Sequence, residues 1–204
     1  SGKLYDVDLQ LRPNGVGGMM AHHKNAFETY ERQQAWIWEH QALTRARFVC
    51  GDPALGQWFE NFRITLLREP RDEWALKSAI LDMRHKMASM HRHASADRFD
   101  IKYDRGGIVD VEFIVQYLIL AHSYAHYDLT RNLGNIALLK MAADFGLIPE
   151  DLSEIVRSTY REYRRAQHAG GTQWFRLRRA RPVPRRQRLD PRRVLLRWTP
   201  KVLS

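Results

Sequence analysis

The residues best placed to do chemistry lie at the start of the chain. Between Leu4 and Pro13, polar and apolar residues alternate, so that Asp6, Asp8, Gln10 and Arg12 share one side of an extended strand. Tyr5, Val7, Leu9 and Leu11 share the other. Two carboxylates two positions apart on a strand can offer hard oxygen ligands to Mg²⁺, and an arginine on the same face can grip two oxygens of a phosphate. The same alternation also suits a half-exposed strand with ordinary surface charge, as in most antiparallel sheets. What decides between the two readings is the chain that surrounds this face.

After the strand, Asn14-Gly15 and Gly17-Gly18 predict a tight turn or glycine-rich loop. From Lys24 to about Arg47 the pattern is helical, through Phe27, Tyr30, Glu31, Ala35, Trp36, Trp38, Glu39 and Leu43, and Gly51-Asp52-Pro53 breaks it. Trp36 and Trp38 cannot share one helix face, so one is expected to pack inward and the other to meet the preceding domain. Five more helical stripes follow. Leu55, Trp58, Phe59, Phe62, Leu66 and Leu67 form one, and Leu76, Ile80, Met83, Met87 and Met90 form another, its methionines assigned to the core. Gly106-Gly107 opens a helix with Ile108, Val111, Ile114, Val115, Leu118 and Ile119. Ile136, Leu139 and Met141 define the next, ended near Gly146. Pro149-Glu150 starts the last, with Leu152, Ile155, Val156, Thr159, Tyr160 and Tyr163 facing inward. Spacing of this kind belongs to a helical bundle.

The net charge of +10 suggests a nucleic-acid partner only until its location is read. Thr172–Ser204 holds ten Arg and one Lys against Asp190, which leaves residues 1–171 with equal numbers of acidic and basic side chains. A neutral body gives no support to binding along a phosphate backbone, so no nucleic-acid partner is expected. No stretch reaches the 18 or so uncharged apolar residues of a membrane span, the first residues lack the apolar centre of a signal peptide, and Cys50 is the single cysteine. A cytoplasmic protein with no membrane partner is the expectation. The Arg/Pro-rich stretch after Gly170-Gly171 reads either as a basic arm for an anionic partner or as the product of a reading-frame slip, and the abruptness of the change favours the slip.

Other candidates carry bland and sharp readings side by side. Arg45 and Arg47 can reach a phosphate, but arginines that end a helix more often pair with carboxylates or with the C-terminal dipole. Asp104, Arg105, Gly106, Gly107, Asp110 and Glu112 either cradle an anion at a helix start or form a tight turn with a capped helix, and the sequence leaves that choice open. His22, His23, His85, His91 and His93 lack the spacing of a zinc motif and read as helix-face residues.

Three ordered blocks carry a family resemblance. They are Ser1-Gly-Lys-Leu-Tyr-Asp-Val-Asp-Leu-Gln-Leu-Arg-Pro-Asn-Gly, Ala35-Trp-Ile-Trp-Glu-His-Gln-Ala-Leu-Thr-Arg-Ala-Arg and Phe99-Asp-Ile-Lys-Tyr-Asp-Arg-Gly-Gly-Ile-Val-Asp-Val-Glu-Phe. Together, to about residue 168, they resemble glutamine synthetase adenylyltransferase, and the Trp-x-Trp-Glu-His wording is similar to its C-terminal, adenylylating half. The resemblance implies a mainly α chain: the end of a polymerase-beta-type nucleotidyltransferase α/β domain, with one or two strands, followed by a helical bundle of the kind found in the uridylyltransferase of the PII signal protein. It divides the chain into 1–50 as the nucleotidyltransferase end, 51–171 as the bundle and 172–204 as an atypical tail.

By the same resemblance, Asp8 matches the third carboxylate of a two-Mg²⁺ site, Asp6 is at best an outer carboxylate beside it, and Arg12 keeps its place as the anion contact, while Arg45 and Arg47 stay nucleotide candidates by position alone, with the structural role preferred. The implied reaction transfers AMP from ATP to a tyrosine of glutamine synthetase, with PII as regulator. Three departures stand out. The family's Gly-Ser loop and the Asp-x-Asp pair that goes with it do not occur in these 204 residues, Asp6-Val7-Asp8 being an Asp-x-Asp by spelling only, with Asp6 where the family usually has a glutamate, and Gln10 stands in place of an arginine. The isolated polypeptide is therefore expected to be inactive. The competing expectation is a non-catalytic helical module that binds a signal protein, and a nucleic-acid nucleotidyltransferase of the same superfold is disfavoured by the neutral body.

Overall fold

Helices dominate because the chain carries long 3.6-residue apolar stripes and few β-rich runs. The computed structural model describes residues 12–91, 98–170 and 174–176. The strand expected over Leu4–Pro13, with Asp6 and Asp8, lies outside them save for its last two residues. Among the described residues there are seven α-helices: α1 (Lys24–Gln33), α2 (Ile37–Leu43), α3 (Pro53–Leu67), α4 (Glu73–Met90), α5 (Ile108–His122), α6 (Asn135–Asp144) and α7 (Glu150–Gly170). Two short strands, β1 (Arg98–Asp100) and β2 (Trp174–Arg176), pair antiparallel with Phe99 opposite Phe175.

Helix α5 is apolar on almost every side and accordingly sits at the centre. Ile108, Val111, Ile114, Val115, Leu118 and Ile119 are all buried, and α2, α4, α6 and α7 pack around them. Leu66, Leu67, Leu76, Ile80, Leu139 and Val156 complete the core from the surrounding helices. Local signals set the helix starts. Asp52 accepts the Ala54 N–H at 2.7 Å ahead of Pro53, Asp72 accepts the Ala75 N–H at 2.7 Å, and Gly146 takes φ 72° just past α6.

Three expectations are corrected. The single helix over 24–47 is two, because the Glu39 carboxylate holds the Trp36 N–H at 2.8 Å and the Tyr30 hydroxyl at 2.9 Å, starting α2 afresh where no glycine or proline marks a break. Neither Trp36 nor Trp38 is buried. The seven-residue α2 turns Glu39, His40, Gln41 and Leu43 inward, which leaves both indoles outside. The stripes of α3 and α4 also lose members: Leu55 and Met90 are exposed, and Met83 and Met87 are only half-buried. Leu55 lies in the first turn of its helix and Met90 at the last residue of its own, where fewer neighbours reach.

Candidate functional site

Of the strand face, Arg12 is the one polar member that the described residues include. It is half-buried, its Nε donates to the Gly18 carbonyl at 3.2 Å, and its own carbonyl accepts from the Gly15 N–H at 2.8 Å. The turn is glycine-dependent. Gly15 has φ 55°, and a Cβ at Gly18 would stand 1.9 Å from the Pro13 carbonyl oxygen. That tight return holds Arg12 and Pro13 against α1, α2 and α3.

There they line a cleft of about 240 Å³ with Phe27, Glu31, Glu39, Ala42, Leu43, Ala46 and Phe59. Two carboxylates stand close together in it. Glu39 has both oxygens engaged, by Tyr30 Oη and the Trp36 N–H. Burial pushes the Glu31 carboxyl up to about 7, and the neighbouring Glu39 charge adds to the rise. His40, on the next turn, is pushed the opposite way by burial. Its Nε2 lies 2.9 Å from the Glu31 carbonyl oxygen, and Arg71 reaches its Nδ1 at 3.4 Å.

Arg45 and Arg47 are not brought into this cleft. Arg45 turns to α6, where its Nη1 donates to Asn135 Oδ1, and Asn135 in turn donates to Tyr160 Oη at 3.0 Å. Arg47 is exposed on the segment after α2. Arg45 does share an environment with Glu112 that the sequence did not single out. Burial raises the Glu112 carboxyl, and Arg45, Arg164 and Lys102 oppose the rise. Arg164 belongs to a basic groove with Arg161, Arg165, His168 and Ile136. The arginine positions of α7 were legible in the sequence, but their meeting with the start of α6 was not.

The Gly106-Gly107 turn resolves in favour of the capped-helix reading. Every backbone N–H from Gly106 to Val109 already has an acceptor within the chain: Asp110 Oδ2, Asp104 O, Ile101 O and Lys102 O respectively. The anion held at this helix start is Asp110 itself, whose Oδ1 also accepts from the buried Arg84 Nε. Asp100 closes the preceding loop by accepting the Lys102 and Tyr103 N–H groups at 2.8 and 3.2 Å. The expected histidines go separate ways. His23 accepts the Asn25 N–H, His22 lies 3.0 Å from the Met19 carbonyl oxygen, His91 stacks on Tyr103 at 3.7 Å, and His85 is exposed.

Among the described residues no group of three or more His, Cys, Asp or Glu side chains could hold a metal.

Comparison with known sequences fixes the lineage. Residues 1–62 match the family model for glutamate-ammonia ligase adenylyltransferase, and residues 75–171 match that for GlnD PII-uridylyltransferase. The chain is 52% identical over 168 residues to the bifunctional glutamine synthetase adenylyltransferase/adenylyl-removing enzyme of Bordetella bronchiseptica. The counterpart in Neisseria meningitidis serogroup A is 53% identical over 168 residues, and that of Chromobacterium violaceum 52% over 169. By sequence, this chain falls in the glutamine synthetase adenylyltransferase family. The match covers 82% of the chain but 18% of the Bordetella and Neisseria enzymes, and 83% and 19% for the Chromobacterium one. The second family match ends at 171, where the Arg/Pro-rich composition begins. No described helix is long and apolar enough to cross a membrane.

Proposed function

We propose that this chain is a piece of the adenylylating half of such an enzyme, contributing one wall of an AMP-transfer site. The observation that carries this reading is the agreement of residues 1–62 with the adenylyltransferase family model, a segment in which Asp8 and Arg12 stand at the two-residue spacing of alternating polar positions. In this role Asp8 supplies one carboxylate to Mg²⁺, with Asp6 beside it, and Mg²⁺ when bound neutralises charge on the phosphates of ATP. Arg12 holds a phosphate oxygen pair, braced by its Nε bond to Gly18. Arg45, committed to Asn135, acts on the bundle rather than on the nucleotide, and Arg47 remains the more exposed candidate for a phosphate.

The acceptor is a tyrosine hydroxyl of glutamine synthetase, and the match of residues 75–171 to a PII-uridylyltransferase model supports the PII protein as a regulatory partner. Taken alone, these 204 residues hold no Gly-Ser loop followed by an Asp-x-Asp pair, so the isolated chain is inactive. Incubating it with ATP labelled at the α-phosphate and glutamine synthetase should leave the synthetase unlabelled, while robust transfer would contradict this reading. The basic groove of α7 favours an interaction role for the bundle as well, since Arg161, Arg164, Arg165 and His168 offer a cationic surface to an acidic segment of a partner.

A further inference from the structure

The cleft beside Arg12 holds a carboxylate oxygen that nothing in the described chain satisfies. Glu31 is 5% exposed, yet its Oε2 has no hydrogen-bond partner among the described residues. The nearest cationic candidate, His40 Nε2, stands 3.7 Å away and spends its bonding capacity on the Glu31 carbonyl oxygen at 2.9 Å. A buried carboxylate oxygen without a donor is costly, and in folded proteins a proton, a water, an ion or a ligand completes it.

The lining restricts what could do so. Glu39 has no spare oxygen, and one free carboxylate oxygen does not make a metal site. With Glu31 ionised, the charged side chains lining the cleft are Arg12, Glu31 and Glu39, which sum to one negative charge. His40 with Arg71 and Glu69 flank it from α2 and the α3–α4 connection. The remaining walls are hydrocarbon: Pro13, Phe27, Ala42, Leu43, Ala46 and Phe59, with the Phe27 and Phe59 rings 6.4 Å apart. At about 240 Å³ the space is smaller than the roughly 300–1,000 Å³ of pockets that take drug-sized ligands, and so too small for a whole nucleotide. One negative site, aromatic walls and small volume together describe recognition of an amine.

We propose that this cleft binds a small organic primary ammonium ion, its –NH₃⁺ donating to Glu31 Oε2 and its hydrocarbon part resting against Phe27 and Phe59. The cleft shares Arg12 with the AMP-transfer reading, but its ligand contact is Glu31, so the proposal stands or falls independently of that reading.

The test uses the full 204-residue chain and benzylammonium chloride, with benzyl alcohol as the uncharged control. Glutamate side-chain carboxyl carbons are followed by NMR as pH is varied. The proposal expects Glu31 to titrate near 7 without the amine and below 6 with saturating amine, and benzyl alcohol to leave its midpoint in place. Glu31→Gln should weaken benzylammonium binding at least tenfold, and Glu28→Gln, on the same helix but outside the cleft lining and paired with Arg32, should leave it unchanged. A Glu31 midpoint that benzylammonium does not move, or moves no further than benzyl alcohol does, overturns the proposal. Equal loss of binding in both variants also overturns it. Because the wild-type titration alone decides the first point, the test survives a Glu31→Gln chain that fails to fold.

Discussion

Asp110 accepts the Gly106 N–H at 2.5 Å through one carboxylate oxygen and the Arg84 Nε through the other. One side chain thereby closes the glycine turn and anchors α4 to α5. Arg84 in turn donates to the Tyr103 carbonyl at 2.8 Å, so the loop and both helices form one buried polar unit.

Removing Asp110 strands the buried Arg84 guanidinium and the Gly106 N–H together. Asp110→Ala should destabilise the chain by about 3–5 kcal/mol, the usual cost of breaking a buried ion pair from one side. Glu162→Gln, at an exposed i, i+3 pair with Arg165, should cost less than about 1 kcal/mol. Urea unfolding followed by circular dichroism separates the two. Equal midpoints would mean that the Asp110 contacts contribute nothing.

The glycines divide into rigid and yielding positions. A Cβ on Gly107 would lie 2.7 Å from the Ile101 carbonyl oxygen and 2.9 Å from that of Asp104, both backbone atoms that carry the turn. Gly107→Ala should therefore cost about 2 kcal/mol or more, as overpacking does in a fixed environment. At Gly56 the close contacts are Cγ and both Cδ atoms of the Phe48 ring at 2.7 to 2.8 Å, side-chain rather than backbone atoms, on a residue that is 37% exposed. There the gain in helix propensity, about 1 kcal/mol, should offset the displacement and leave Gly56→Ala near neutral. Thermal or urea midpoints of the two variants check the contrast.

Glu31 fixes the sign of one pH effect. Its carboxyl is raised to about 7 in the folded chain from an ordinary value of 4.5, so between those limits the folded state holds the proton that the unfolded state has released. Stability from this group is thus full below pH 4.5 and falls as pH rises to 7, by about 3 kcal/mol at most. His40, lowered by burial, pulls the other way as pH falls below 6.5. The difference between the wild type and Glu31→Gln isolates the carboxyl: Glu31→Gln should be relatively more stable at pH 8 than at pH 5. A pH-independent difference would contradict the assignment.

Arg45 is a structural residue by its contacts. Arg45→Ala leaves Asn135 Oδ1 without its donor at a buried position and should cost about 1–2 kcal/mol. If Arg45 instead served only a nucleotide, the variant would keep full stability in the absence of ATP, which a melting curve detects.

The bundle was legible because its signals are local. Five apolar stripes at helical spacing, with Asp52, Asp72, Pro53 and Gly146 at their ends, correspond to α3 through α7 within a few residues. The break between α1 and α2 was not legible, since it depends on Glu39 reaching back to Trp36 and across to Tyr30, a contact between residues that a continuous helix would have accommodated. The Gly106-Gly107 turn showed its composition but not its occupant, because Asp110 looks the same in sequence whether it caps its own helix or repels an outside phosphate. The cleft of Arg12, Glu31 and Glu39 was invisible for a further reason: its members come from three segments that meet only when the Gly15–Gly18 turn folds back.

The central claim is that the segment carrying Asp8 and Arg12 supplies a working wall of an AMP-transfer site. The most direct measurement replaces the matching 168 residues of the Bordetella bronchiseptica enzyme with those of this chain and follows transfer of labelled AMP from ATP to glutamine synthetase, with and without Asp8→Asn. The account predicts transfer by the chimera and a loss of at least about a thousandfold, roughly 4 kcal/mol of barrier, in the Asp8→Asn form. A folded chimera that transfers no AMP, or one in which Asp8→Asn is as active as the parent, would contradict it.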